Sequence, residues 1–419
     1  MNRGATMQSQ QSEIQRRVER FMKERILPQC AALHRQAQEA TGEYRPALLD
    51  DLREQARAEG LWNLGLPELP EGAPGTRLSN LEFAPVAETL GWVHWAPEVF
   101  NCHAPDLPNM EMLQKLGTEA QKERWLKPML EGKVASSFAM TEPDVASSDA
   151  RNIACSITED GDHFVITGRK WFVGNSNLRN WDYVVLIGVT DPDAPRTDQH
   201  SAVIVPTDAP GFEVVRQYNI LGARRRWSPQ AEVKLDRVRV PKTNLVGERG
   251  KGFAAAQVRL ATARIHHCMR SIGAAEVALK LLIRRAETRN TFGKPVIERD
   301  KVREWIALSR IELNQARLLT LDSADQLDRL GDRGARRSIS MIKYAVSESC
   351  FKVADRALQV FGGAGMMEDT PLADFLADMR AFRIYDGPSE IHLQTLARLE
   401  MQDRERDDTD WLGLLVDSR

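Results

Sequence analysis

The stretch FAMTEPDVASSDA, residues 138–150, lies where the periodicity of the chain changes. Upstream, over residues 12–133, apolar residues recur at helical spacing: Val18, Phe21, Met22 and Ile26 open this part, and Leu113, Leu116, Trp125 and Leu130 close it. Downstream, residues 134–247 carry short β-branched runs separated by turn residues, at 183–187, 202–205, 231–235 and 238–240. Over residues 248–403 the helical period returns, and Ile342, Val346, Val353, Ala357 and Phe361 fall close to one face of a single helix. Long helices with few breakers predict a bundle. The order is therefore helical, then β, then helical.

A chain of 419 residues exceeds one compact core, so two or three structural units are expected. The net charge of -2 gives no electrostatic case for nucleic acid or a membrane, and a small molecule is the expected partner. Cys30, Cys102, Cys155, Cys268 and Cys350 form no CxxC pair, which argues against a zinc site and a disulfide framework. The first residues lack the apolar core of a signal peptide, and no run of about 18 apolar residues could span a bilayer. The sequence reads as a soluble cytoplasmic protein.

Near the C-terminus, RIYDGPSEIHL (383–393) places Asp386 directly before the turn-forming pair Gly387-Pro388, where a helix should break. Such a break can present a carboxylate inward. In a dry pocket desolvation raises its pKa and strengthens it as a base. By itself, Asp-Gly is also a common surface turn. The stretch 138–150 offers backbone amides and the hydroxyls of Thr141, Ser147 and Ser148, and composition alone would make it a Ser-rich loop or cap. GRKWFVG (168–174) contains Trp171, RNTFGKP (289–295) contains Arg289 and Phe292, and QVFGGAG (359–365) is a Gly-rich turn that is neither GxGxxG nor a P-loop. The segment 247–252 reads as an interdomain hinge and the basic run 224–227 as a solvated loop. His266 and His267 are adjacent, so on a helix their rings diverge by about 100° and cannot share a metal. No metal is expected.

The helical, β, helical order and these motifs, in this sequence, resemble the acyl-CoA dehydrogenase family over residues 13–400. Within it, GLWNL (60–64), ARIHHCMRSIG (263–273) and the DGPSE turn are similar to the branch of members ten and eleven, whose larger proteins also carry kinase-like domains; only the dehydrogenase unit is read here. The resemblance implies an α+β fold: an N-terminal helical domain, a middle β-barrel or sandwich, and a C-terminal four-helix bundle. It implies an FAD enzyme that oxidises an acyl-CoA, long-chain or branched, to the trans-2-enoyl-CoA. Asp386 would be the catalytic base, where most members have Glu. Asp is shorter by one methylene, about 1.5 Å, and a displacement of that size can cost about 100-fold unless the pocket is reshaped. The other base position used by some relatives is Ala263 here.

The resemblance assigns Phe138, Met140, Thr141, Ser147 and Ser148 to the flavin signature, and Ser148 also to the substrate's pantetheine arm. Trp171 would shield one flavin face, and Val173 stands where Thr is frequent, so only its backbone could serve. Arg289 would pair with a diphosphate and Phe292 pack by the adenine of a neighbouring subunit's FAD. Gln359, Gly362 and Gly363 would approach the same cofactor, glycine allowing close backbone contact. Asp300 replaces a frequent Gln, so that contact is not carried over. Arg264 and Gly387 would shape the substrate side, Pro388 and Glu390 the flavin side. A homodimer or homotetramer and an electron-transfer flavoprotein as acceptor are further implications. Two rival readings stay open: a flavin oxidase of the same fold acting on nitroalkanes, which uses Asp as base, and a non-catalytic homologue.

Overall fold

The computed structural model describes residues 12–39, 46–218, 221, 230–406, 409 and 411–415. The basic run 224–227 lies outside them. The N-terminal part consists of α1 (Glu13–Phe21), α2 (Cys30–Glu39), α3 (Ala47–Ala58), α4 (Asn80–Leu90), α5 (Ala96–Val99), α6 (Asp106–Leu116), α7 (Glu119–Gln121) and α8 (Lys127–Leu130), joined by turns and short π and 3-10 segments. Val18, Phe21, Met22 and Ile26 are all buried, as their spacing predicts. Helix α4 begins in a capping box between Ser79 and Glu82. Its first amides are also bonded from a distance: Asp328 accepts from the backbone N–H of Asn80 at 3.0 Å and of Leu81 at 2.9 Å. A carboxylate at a helix N-terminus is favoured by the free amides and the dipole, and here it ties the N-terminal part to the C-terminal bundle.

The middle part contains β1 (Ala135–Ala139), β2 (Ser156–Asp160), β3 (His163–Val173), β4 (Trp181–Val189), β5 (His200–Pro206), β6 (Phe212–Tyr218), β7 (Gln230–Pro241) and β8 (Leu245–Val246). The sheet runs β6-β7-β3-β2-β4-β5-β8, with β1 parallel to β4. Strands β2 and β4 pair only at Ser156 and Val189, so the sheet is nearly divided into two leaves. Ile157, Ile166 and Val233 from one leaf and Val184, Leu186 and Val203 from the other fill a common core, the packing of a sandwich. The opposite face of β4 and β5, with Tyr183, Val185, Ile187 and Ile204, joins the helical core. Burial on both faces is why residues 183–187 are uniformly apolar rather than alternating.

The runs 231–235 and 238–240 are one strand, β7, not two. Asp236 and Arg237 form a bulge between them: pairing with β3 passes from Ile166–Val238 to Gly168–Leu235, and Arg237 takes a left-handed φ of 53°. An inserted residue bends a strand without ending it.

The C-terminal part begins with α9 (Gly252–Thr288), followed by a small hairpin, β9 (Asn290–Thr291) and β10 (Lys294–Pro295), then α10 (Asp300–Gly334), α11 (Arg336–Phe361), α12 (Leu372–Phe382), α13 (Ser389–Arg406) and α14 (Trp411–Leu415). Helices α9, α10 and α11 pack on one another, α13 lies on α11, and the shorter α12 packs against α11 and α9. The segment before α9 is fastened to the sheet: the Gly250 N–H donates to Ser201 Oγ at 2.9 Å and Lys251 pairs with Asp198 at 2.6 Å. At 37 residues, α9 is about 55 Å long and touches every part of the molecule.

Helix α9 meets the end of α4 at backbone distance. A Cβ on Gly273 would lie 1.9 Å from the Glu88 carbonyl oxygen, and one on Gly91 would lie 2.1 Å from that of Arg270. Gly273→Ala must therefore separate the helices, and overpacking of this kind costs about 1–3 kcal/mol. The expected result is a fall of several degrees in the thermal midpoint with unchanged helical circular dichroism.

Candidate active site

A cavity of about 1550 Å³ opens where the three parts meet. Phe138, Met140, Thr141, Ser147, Ser148 and Trp171 line its β side, and Arg264, Asp386, Gly387 and Pro388 line its helical side. Two sequence motifs far apart in the chain are joined here, because the Trp171 N–H donates to the Thr141 carbonyl at 3.0 Å. Beneath them is a buried ion pair. Lys170 Nζ reaches Glu142 Oε1 at 2.7 Å, the Met140 carbonyl at 2.9 Å and the Ile187 carbonyl at 2.7 Å. Glu142 in turn accepts from the N–H of Ala154 and of Cys155. All the polar atoms of this plinth are matched, which a buried pair requires.

The turn between α12 and α13 presents the acid. Asp386 has φ 56° and Gly387 φ 99°, conformations that Asp tolerates and Gly prefers. A Cβ on Gly387 would come within 2.7 Å of His392 Nε2. The turn is held by its carbonyls. Arg264 Nε donates to the Asp386 carbonyl at 3.0 Å, with His392 Nε2 3.2 Å from the same oxygen. Lys343 Nζ donates to the carbonyls of Phe382 at 2.5 Å and Gly387 at 3.2 Å. Burial pushes the Lys343 ammonium down to about 8 and the His392 imidazolium down to about 4. Burial also lowers the Arg264 pKa, while Asp386 opposes the shift. The carboxylate of Asp386 is free of the turn's own bonding, its side chain 18% exposed on the cavity.

The structure separates the remaining expected residues from this cavity. Val173 is directed into the sandwich core, whereas Ser147, although it lines the cavity, has its hydroxyl engaged in the loop, accepting from the Glu142 N–H at 2.9 Å. Glu390 is exposed and outside the cavity lining. Arg289, Phe292, Gln359, Gly362 and Gly363 are exposed at the far end of the bundle, where Arg285 stacks over Phe361. Arg285 lies six turns along α9 from Arg264, about 30 Å. Phe292, at the tip of the β9–β10 hairpin, is 97% exposed.

Three residues near the acid carried little sequence signal. His267 Nε2 is 3.4 Å from Asp386 Oδ2, and it shares a helix face with Arg264 at i, i+3, a spacing that could have been read. Arg259 lies with its guanidinium 4.0 Å over the Phe138 ring and donates to Asn109, and burial lowers it to about 10. Lys343, fully buried in α11, is apolar neither in composition nor in periodicity, and nothing in its local sequence marks it.

Among the described residues, Trp171 Nε1 is buried at the cavity wall with no hydrogen-bond partner. An unanswered buried N–H beside a large cavity fits a bound group that accepts hydrogen bonds.

Three family profiles match the chain in succession: acyl-CoA dehydrogenase, N-terminal domain (residues 8–133), middle domain (137–238) and C-terminal domain (250–400). The chain belongs to the acyl-CoA dehydrogenase family. It is 46% identical over 402 residues to acyl-CoA dehydrogenase family member 11 of Gallus gallus, covering 94% of this chain and 51% of that one. It is 45% identical over 388 residues to family member 10 of Mus musculus, covering 92% and 36%. The chain thus spans about half or less of these relatives, whereas it covers 86% of the protein named FadE2 in Mycobacterium tuberculosis, at 46% identity over 357 residues and 85% of this chain. A solved structure from Mycobacterium abscessus superposes with a TM-score of 0.89 at 43% identity, covering 94% of this chain and 98% of that one. Among the described residues no helix is long and apolar enough to cross a membrane.

Proposed function

We propose that this chain is an FAD-dependent acyl-CoA dehydrogenase in which Asp386 is the base. The observation that carries the reading is a carboxylate on a left-handed turn, fixed through its backbone, in the same cavity as the Thr141 and Trp171 segments. Thr141, Ser148 and Trp171 would hold the flavin ring, and FAD bound there supplies the acceptor for the hydride that leaves the β-carbon. Asp386 takes the α-proton of the acyl-CoA, and its backbone N–H is the expected donor to the thioester oxygen as charge builds there. The product is the trans-2-enoyl-CoA. A long or branched acyl chain is the substrate class, and an electron-transfer flavoprotein the acceptor. Anaerobic titration with short, long and α-branched acyl-CoAs tests this: bleaching of the flavin's visible band by one class is expected. A flavin that stays oxidised with every thioester, yet is reduced by a nitroalkane, overturns it in favour of the oxidase.

Arg289, Phe292, Gln359, Gly362 and Gly363, at the Arg285 end of the bundle and about 30 Å along α9 from Arg264, complete the FAD site of a second copy in a homodimer or homotetramer. An almost fully exposed Phe at a hairpin tip supports this reading. Phe292→Asp is expected to release FAD and to lower the mass measured by light scattering, with the monomer fold retained by circular dichroism. A variant that keeps both its mass and its FAD argues against the shared site.

A further inference from the structure

The neighbour of the acid is itself positioned. Arg270 Nη2 lies 2.6 Å from His267 Nδ1, one turn along α9. A guanidinium has only donors, so Nδ1 must be the acceptor and carry no proton. The neutral ring then has its hydrogen on Nε2, the atom 3.4 Å from Asp386 Oδ2. That separation is longer than a formed hydrogen bond, and a shift of a few tenths of an ångström closes it, as catalytic contacts do when substrate arrives. Phe382 and Tyr385 pack on the imidazole, with ring centres at 6.0 and 5.1 Å, and limit its rotation.

We infer that His267, its tautomer set by Arg270, is a positioning residue that engages Oδ2 of Asp386 and leaves Oδ1 to receive the proton. The inference rests on the reading of Asp386 as base. In the step, the α-carbon's C–H bond breaks, its electron pair passes into the enolate, and the proton forms an O–H bond on Oδ1. His267 keeps its own N–H throughout. Protonating His267 would oblige a cation to face Arg270 without an acceptor between them, so the ring stays neutral. Burial holds its pKa well below the usual value, and Arg270, Lys343 and Arg259 act in the same direction.

Four cationic side chains and the imidazole of His392, which burial keeps neutral, face the pair. Arg259, Arg264 and Arg270 come from α9, Lys343 from α11 and His392 from α13. The Cys268 thiol beside them is pushed up by burial and stays neutral. Against this fixed background, His267 supplies a directed donor to one oxygen. Loss of a donor to the charged form raises a carboxyl pKa.

Two measurements test the inference. The rate of flavin reduction by the best acyl-CoA is followed against pH for the wild type, His267→Ala and His267→Gln. The Ala variant is expected to move the acid limb upward by about one pH unit and to slow the plateau about 10-fold. The Gln variant, whose amide nitrogen can stand in for Nε2, is expected to restore the limb. An Ala profile with the wild-type limb overturns the inference. Independently of turnover, 15N spectra of histidine-labelled protein, assigned by the signal missing from His267→Gln, should show Nδ1 unprotonated and Nε2 protonated from pH 6 to 8, values chosen around the ordinary imidazole pKa of about 6.5. A protonated Nδ1 overturns it even in a protein that no thioester reduces. Failure of the wild type with every thioester, by contrast, refutes the base assignment itself.

Discussion

Asp386→Asn should retain FAD and lose about 10²- to 10⁴-fold in the rate at which an acyl-CoA bleaches the flavin, the range expected for removing a general base. The substitution is well suited to separate chemistry from structure. Asn is as tolerant of a left-handed φ as Asp, so the 56° backbone at this position is kept. Arg264, His392 and Lys343 bind carbonyls of the turn and not the carboxylate, so the turn keeps its fastenings. Ala263, the residue before Arg264 on α9, carries no ionisable group that could serve as a substitute. Stopped-flow reduction with the acyl-CoA identified by titration gives the rate, and the visible spectrum of the purified variant gives the FAD content. Unchanged turnover would remove Asp386 from the mechanism.

Lys170→Met should be the most damaging substitution away from the acid. Lys170 is 0% exposed and Glu142 5% exposed, so the change leaves a carboxylate buried without its cation. It also deprives two carbonyls, of Met140 and Ile187, of their donor. Breaking one side of a buried pair typically costs about 3–5 kcal/mol. The damage falls on the strand end and loop that carry Thr141 and Ser148. Weak FAD retention is therefore expected together with a lower thermal midpoint. The double variant Lys170→Met, Glu142→Gln should recover part of the midpoint, because no uncompensated charge remains; equal loss in both proteins would show that the pair's charge is not what matters. Calorimetry of the two variants decides between these outcomes.

The layers were legible in the sequence for a physical reason. The helices and strands each bury one face or two, so Val18, Phe21 and Ile26 or the run 183–187 announce their period. The turn that carries Asp386 was legible because a helix break leaves Gly and Pro behind. Legibility failed where one residue acts on a distant one. Lys343 reaches the turn of Asp386 from another helix, and the bulge at Arg237 looked like a strand end because a polar pair interrupts apolar residues in both cases. In the sequence His267 stands out only as the neighbour of His266, whereas in the fold its neighbours are Arg270 on its own helix and Asp386 on the turn after α12. Roles set by tertiary contact leave no periodic trace.

Helix α9 also decides when this chain can fold. Its Gly252 end docks on the sheet, its middle bears Arg264 and His267, and Gly273 is the seat for α4. During synthesis the N-terminal helices emerge long before this seat does. At about 5–20 residues per second, the apolar faces of α4 and α6 wait on the order of ten seconds or more for their partner. Until then those faces have no α9 to pack on, and the close contact of α4 with Gly273 forms only after that stretch has left the ribosome.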